Sequence, residues 1–132
     1  MDYKRKGVED VCEIKRNSEK RALAEQRTNK RQDKREKKGE LTKSLSRRIF
    51  EIISEAEDVK SVIPDLAYLA ARNDGLDPNS ELGSLVLKLL DMINRGTDKG
   101  DLIKYMEGVV MAVYVIEEAK ENKLDPYKFL GC

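Results

Sequence analysis

The stretch GDLIKYMEGVVMAVYVIEEAKEN, residues 100–122, is the most apolar part of this 132-residue chain and decides its fold. Its apolar side chains occupy much of the circumference of a helix, at Leu102, Ile103, Met106, Val109, Val110, Val113 and Ile116. The β-branched run could also form a buried strand, but charged helix-forming residues flank it and the chain offers no second strand to pair with it. We therefore expect a central helix with neighbours on several sides, one of them close to Gly108.

The segments before this helix have helical periodicity as well. Apolar residues recur every three or four positions through residues 43–57, which predicts an amphipathic helix. The stretch VIPDLAYLAARNDG, residues 62–75, predicts a short helix that ends at Gly75 in a left-handed conformation. With the central helix, these segments indicate an all-α protein.

Leu-Asp-Pro occurs twice, at residues 76–78 and 124–126, and marks two further helix starts. Asp77 can cap a helix whose first residue is Pro78 and whose last is Arg95. Asp125 and Pro126 can begin a short final turn in the same way. The sequence therefore predicts a small bundle of four to five helices over residues 41–132.

Charge divides the chain into two regions of opposite sign. Residues 1–48 hold 17 Lys and Arg against 9 Asp and Glu, whereas the remaining residues hold 9 against 16. Residues 25–40 contain no apolar side chain, so this stretch cannot contribute to a core. We interpret residues 1–40 as a basic N-terminal arm and residues 41–132 as an acidic helical bundle, a division typical of chains that send one part to a polyanion.

The charges of the arm segregate when the segment is wound as a helix that ends near Gly39. Acidic side chains fall on one side and basic ones on the other. The basic side holds Arg27, Lys30, Arg31, Lys34, Arg35, Lys37 and Lys38, and Arg47 and Arg48 extend it onto the first helix of the bundle. This pattern predicts a helical arm that follows nucleic-acid phosphates and reads little sequence. The arm has no aromatic side chain, so it offers no platform for base stacking.

Two other interpretations of the arm stay open. The segment can be a solvated, charge-rich spacer. It can also dock on an acidic protein surface, including the bundle of another copy, which would give a homo-oligomer or an inhibitor. Ahead of the arm, Val8, Val11, Cys12 and Lys15 share a helical spacing, which predicts a short helix packed on the bundle or an anchor for a partner.

The C-terminal residues Tyr127, Phe129 and Leu130 form an aromatic and apolar tip. We expect this tip to fold back on the core. Exposed, it would be the natural contact for a protein partner, because aromatic anchors carry much of the binding energy at interfaces.

Composition argues against catalysis and cofactors. Histidine is absent, which excludes Ser-His-Asp catalysis and His-containing zinc sites. A magnesium site of clustered helix carboxylates fits poorly, because Ser84 stands three residues after Glu81 where a second carboxylate is needed. We expect no enzyme activity, no metal and no cofactor.

The two cysteines, Cys12 and Cys132, form no metal-binding or redox motif, and we expect both to be free thiols in a reducing cytoplasm, with a structural disulfide that joins the termini as the less favoured alternative. No run of residues reaches the length of a membrane span. The sequence thus predicts a non-enzymatic accessory protein of the cytoplasm that tethers to RNA or DNA through its arm and contacts a protein partner through its bundle. The alternative is a protein-only inhibitor or assembly component whose arm binds acidic surfaces.

Overall fold

The computed structural model of the chain describes residues 2–28, with backbone only for residues 22–28, and residues 38–132. This part of the chain forms six α-helices and contains no strand. In chain order they are α1 (Tyr3–Thr28), α2 (Lys43–Glu55), α3 (Val62–Arg72), α4 (Glu81–Asn94), α5 (Lys99–Glu121) and α6 (Pro126–Leu130), and a 3-10 turn at Val59–Ser61 leads into α3. The fold is the all-α bundle that the sequence predicts.

Helix α5 is the centre of the bundle, as its composition predicts. It packs against α1, α2 and α6, while α4 contacts α1 and α3. The helix is apolar on most sides because it has these three neighbours, and only the stripe that carries Met111 and Tyr114 is half exposed. Its buried side chains include Leu102, Tyr105, Met106, Val109, Val113 and Ile116.

Glycines on both helices allow α1 to lie directly against α5. A Cβ atom added to Gly108 would lie 2.0 Å from the carbonyl oxygen of Lys4, and one added to Gly7 would lie 2.2 Å from the carbonyl oxygen of Tyr105. Val11 and Ile14 of α1 are buried beside this crossing and belong to the core. The prediction of a close neighbour at Gly108 is confirmed, and that neighbour is α1.

The core therefore extends into the segment that the sequence assigns to the arm. Of the two interpretations of residues 8–15, the helix packed on the bundle is confirmed. Residues 25–40 of the arm lack apolar side chains, so their charge pattern dominated the prediction and the packed part of the arm was overlooked. Helix α1 continues to Thr28, and the predicted helix from residue 29 to residue 37 lies outside the described residues.

Hydroxyl and carboxylate side chains cap most of the helices at their N-termini. Thr42 caps α2, Asp98 caps α5 and Asp125 caps α6, the last as predicted. The predicted start of α4 at Asp77 is wrong, because Ser80 accepts the Gly83 N–H and the helix begins at Glu81. Asp77 instead accepts the Asn79 N–H and closes a turn before the helix.

Cys12 and Cys132 form a disulfide that joins α1 to the C-terminal segment. The expectation of two free thiols is wrong, and the argument for a cytoplasmic location that depended on it falls with it. Sequence spacing could not show the pairing, because 120 positions separate the two residues and only the packing of α1 and α6 on α5 brings them together.

Candidate nucleic-acid interface

The structure describes only part of the predicted basic surface. Lys38, Arg47 and Arg48 are exposed, and Arg27 lies in the last turn of α1, where the backbone alone is described. The predicted contacts Lys30, Arg31, Lys34, Arg35 and Lys37 lie outside the described residues. The geometry of the candidate site is therefore the geometry of the two ends of this basic stretch.

The N-terminal end of the basic stretch is held against the loop that precedes α4. The guanidinium of Arg21 donates a hydrogen bond to the carbonyl oxygen of Asn79. At the C-terminal end of the stretch, the Gly39 carbonyl accepts the Leu82 N–H at 2.8 Å. Asn79 and Leu82 flank the start of α4, so the basic stretch leaves the bundle and re-enters it at the same place.

Gly39 is required at the point of return. Its φ of 67° lies in the left-handed region, which residues with a Cβ rarely adopt. A Cβ atom there would also lie 2.6 Å from the Cβ atom of Ser80. Gly39 is also the predicted stop of the arm helix, and the residues 29–37 that would form the end of that helix lie outside the described part of the chain.

A buried ion pair joins the segments of chain at which the basic stretch leaves and re-enters the bundle. Lys15 Nζ donates to Glu81 Oε1 at 2.7 Å and to the Leu41 carbonyl oxygen at 2.8 Å, and Glu81 Oε1 also accepts the Leu41 N–H at 3.0 Å. The side chains of Lys15 and Glu81 are 4% and 2% exposed. We refer to Lys15, Gly39, Leu41 and Glu81 as the arm root, since they join α1, the returning chain and α4.

The sequence contained a signal for the arm root that its interpretation missed. Lys15 lies in register with Val8, Val11 and Cys12 on the packed face of α1. A lysine in an apolar stripe requires a buried acceptor, because a charged ammonium group is rarely buried unpaired. Its partner, Glu81, stands 66 positions away, and the sequence does not identify it.

Helix α2 presents two more of the predicted cations close to the arm root. Arg48 forms an exposed ion pair with Glu51 at 3.6 Å, and such surface pairs hold little energy. Lys38 and Arg47 make no ion pair within the part of the chain that the structure describes. These cations are available to phosphate groups.

A groove of about 610 Å³ lies between α2 and α3 and includes Arg48 on its wall. Tyr68, also on the wall, is 64% exposed, and the Arg72 guanidinium lies 5.7 Å from the centre of its ring. An exposed tyrosine beside arginines is a surface on which a nucleic-acid base can stack. Glu55 and Asp65 also line the groove and reduce its attraction for phosphate.

The predicted partner tip is divided by the fold. Tyr127 is buried, its hydroxyl donates to Glu19 at 2.8 Å, and the guanidinium of Arg16 lies 4.4 Å from its ring centre. Burial and this hydrogen bond raise the pKa of Tyr127 above its ordinary value. Leu130 is partly buried, so Phe129, at 66% exposed, is the member of the three that faces solvent.

The acidic residues of the bundle meet basic ones where α2 crosses α5. Lys43 donates to Glu118 at 2.6 Å, lies 3.9 Å from Glu117 and sits over the ring of Tyr114. The hydrogen bond that Lys43 donates to Glu118 is the main reason why the pKa of Lys43 is raised. Within residues 2–28 and 38–132, no three Cys, Asp or Glu side chains are grouped as a metal site would need.

Comparison of the chain with protein-family models, with curated proteins and with solved structures finds no match. None of the described helices is both long enough and apolar enough to cross a membrane. Charge, exposure and the geometry of the arm root are the observations that bear on function.

Proposed function

We propose that this protein is a non-enzymatic tether, in which the basic stretch that begins and ends at the arm root grips nucleic acid and the acidic bundle contacts a protein partner. The observation that carries the proposal is the anchoring of this stretch at both ends. Arg21 holds this stretch to the bundle on one side and Gly39 holds it on the other, and between them residues 25–38 contain no apolar side chain.

The energetics favour contact with phosphates over contact with bases. Lys and Arg side chains that neutralise phosphates release condensed counterions, and the resulting affinity falls steeply with salt. Seven Lys and Arg residues lie between Glu25 and Lys38, where every other residue is polar or acidic. Anchoring at both ends also lowers the conformational entropy that the segment loses on binding, because its ends are already fixed.

The proposed function gives a role to the buried ion pair between Lys15 and Glu81 in the arm root. A force that a bound polyanion applies to the arm would reach the core through Lys15 on α1 and through Leu41 on the returning chain, since both bond to Glu81. The exposed side chains of Lys38 and Arg47 would add to the basic surface.

Charge reversal is the appropriate test, because removal of residues 1–39 would also remove Val11 and Ile14 from the core. The test variant carries Glu at Arg27, Arg31, Lys34 and Lys38. The matched control carries Glu at Lys60, Lys104, Lys123 and Lys128, which are exposed on the bundle, so its net charge changes equally. Binding to duplex DNA, duplex RNA and single strands is measured between low and physiological salt.

We expect the intact chain to bind with a steep salt dependence. Each lost phosphate contact lowers the slope of log K against log salt by about 0.9, so the test variant should lose about 3 to 4 from that slope. The control variant should keep most of its slope. Equal losses in the two variants, or no binding by the intact chain at low salt, would contradict the proposal.

One further experiment distinguishes binding to single strands from binding to duplexes, and another distinguishes nucleic-acid binding from self-association. If bases stack in the groove between α2 and α3, Tyr68→Ala will weaken binding to single strands and leave duplex binding unchanged. If the arm instead binds acidic bundles of other copies, sedimentation will show self-association that disappears with salt and in the test variant.

A further inference from the structure

We propose that the disulfide between Cys12 and Cys132 is a site of thiol exchange with dithiol reductants, and that its reduction releases the C-terminal segment from α1 while the rest of the bundle stays folded. We refer to residues 125–132 as the C-terminal latch. This opening does not depend on the proposed function. Its consequence for a protein partner does, because the latch includes the aromatic tip.

The two sulfur atoms differ in their access to solvent. Cys12 is 3% exposed in the core of the α1 crossing, whereas Cys132 is an exposed residue. A shallow depression of about 260 Å³ lies over the bond and is lined by both cysteines and by Arg16. Disulfide exchange requires a thiolate to approach one sulfur, and access decides which sulfur is attacked. The accessible sulfur is Cys132 Sγ.

The reaction balances with a dithiol as the co-reactant. One thiolate of the dithiol attacks Cys132 Sγ, and the electron pair of the broken S–S bond goes to Cys12 Sγ, which takes a proton. The second thiol of the reductant then attacks its own sulfur in the mixed disulfide and releases Cys132 as a thiol. The reductant leaves as a disulfide, and the protein has gained two electrons and two protons.

Besides the disulfide, the latch is attached by the packing of α6 on α5, by the hydrogen bond from the Tyr127 hydroxyl to Glu19 and by hydrogen bonds from α1 to its carbonyl oxygens. Arg5 donates to the carbonyl oxygens of Leu130 and Gly131, both at 2.9 Å, and Arg16 donates to the Cys132 carbonyl oxygen at 3.1 Å. These three hydrogen bonds are exposed, where water competes for the same groups. They are too weak to hold the segment closed as firmly as a covalent bond does.

Little apolar surface would keep the latch closed after reduction. Helix α6 has five residues, and within the latch only Pro126 and Tyr127 are buried. A short element with few buried contacts opens locally at a low free energy, well below that of global unfolding. In contrast, α1 is held independently of the latch by the glycine crossing with α5 and by the pair Lys15–Glu81, so it should stay in place.

Opening would change the surface in two ways. It would expose Tyr127 together with Phe129 and Leu130. These three residues are the aromatic tip that the sequence predicts as a contact for a protein partner. It would also free the guanidiniums of Arg5 and Arg16 from the C-terminal carbonyl groups. In this way a dithiol would control whether the tip can bind.

The experiment compares hydrogen exchange in the oxidised chain and in the chain reduced with dithiothreitol. We expect amides of residues 127–132 to exchange at least tenfold faster after reduction, and amides of Leu85 and Leu89 in α4 to change less than twofold. The variant Cys132→Ser should match the reduced chain with or without dithiothreitol, and iodoacetamide should then label Cys12 under native conditions.

The kinetics of reduction provide a second test. Attack on an exposed sulfur predicts a rate that is proportional to dithiothreitol concentration and insensitive to urea below the unfolding transition. Three outcomes would overturn the proposal: no disulfide in the chain purified without reductant, unchanged exchange at residues 127–132 after reduction, or an equal rise across the whole bundle. The last outcome would identify the bond as a staple of the entire fold.

Discussion

The two halves of the N-terminal segment are almost equally charged, yet the core residues that the structure describes in this segment lie in the first half. Residues 3–20 contain ten charged side chains and residues 21–40 contain twelve. The first half docks on α5 because it also has Gly7, Val11 and Ile14 on one side, whereas residues 25–40 of the second half contain no apolar side chain. A few small or apolar residues at helical spacing therefore decide docking, and charge content does not.

The largest effect should come from breaking the arm root, where the docked half meets the returning chain. Lys15→Met removes the partner of a buried carboxylate and leaves Glu81 in an environment that disfavours its charge. We expect a loss of about 3–5 kcal/mol in the free energy of unfolding, measured by urea titration. The exposed Lys20→Met on the same helix is the control and should change little. A loss below about 1 kcal/mol at Lys15 would show that the pair is not the anchor.

The next effect should come from the glycine crossing that seats α1 on α5. Gly108→Ala places a Cβ atom against the backbone of Lys4, which cannot rotate away as a side chain would. We expect a loss of about 1–3 kcal/mol, detected as a lower urea midpoint with an unchanged slope. Gly100→Ala on the same helix places its Cβ at an ordinary contact distance of 3.5 Å from Asp98 Oδ1 and should be neutral or stabilising by up to about 1 kcal/mol. Similar values for the two variants would contradict the close crossing.

A smaller effect is expected at the buried hydrogen bond between the docked half and α5. The hydroxyl of Tyr105 donates to Asp10 Oδ2 at 2.7 Å, so Tyr105→Phe leaves that carboxylate with only Lys6 at 3.7 Å. We expect a loss of about 1–2 kcal/mol at pH 7, again from urea titration.

The pH dependence of this variant supplies an internal control. Burial, and then the bond to Asp10, raise the pKa of Tyr105 well above its ordinary value of 10.0. The unfolded chain therefore releases this proton first, and the wild type loses stability as pH rises above about 10. The phenylalanine variant lacks this contribution, so its deficit should shrink between pH 9 and pH 11. A deficit that stays constant over that range would show that Tyr105 is not held neutral in the fold.

The helices were predictable because each follows from local rules. The apolar periodicity, the cap at Asp125 and the small residue at Gly108 can each be recognised within a short window of sequence. The failures are of a different kind. Asp77 and Ser80 are both good caps three residues apart, and the choice between them depends on a turn in which Gly83 packs close to the Asp77 carbonyl.

The parts of the site that escaped prediction are pairings across long stretches of chain. Glu81 as the partner of Lys15, Cys132 as the partner of Cys12 and Arg5 as the donor to Gly131 all require α1 to be placed on α5 first. Sequence shows that Lys15 needs an acceptor, but the acceptor follows from the packing. The charge of the arm could be predicted because it is a property of one continuous segment.

The smallest effect on stability should come from residues 25–40 of the second half, and this prediction tests the comparison most directly. Arg27→Gln, Arg31→Gln and Lys34→Gln together remove three positive charges without introducing acidic ones. Because residues 25–40 contain no apolar side chain that could bury surface, we expect the free energy of unfolding to change by less than about 0.5 kcal/mol. The same three changes should lower the salt slope for nucleic-acid binding by about 3. A control with Gln at Lys60, Lys104 and Lys123 should alter neither quantity appreciably. If the triple variant of the arm instead lost several kcal/mol of stability, its cations would be part of the folded bundle, and the contrast between the two halves would disappear.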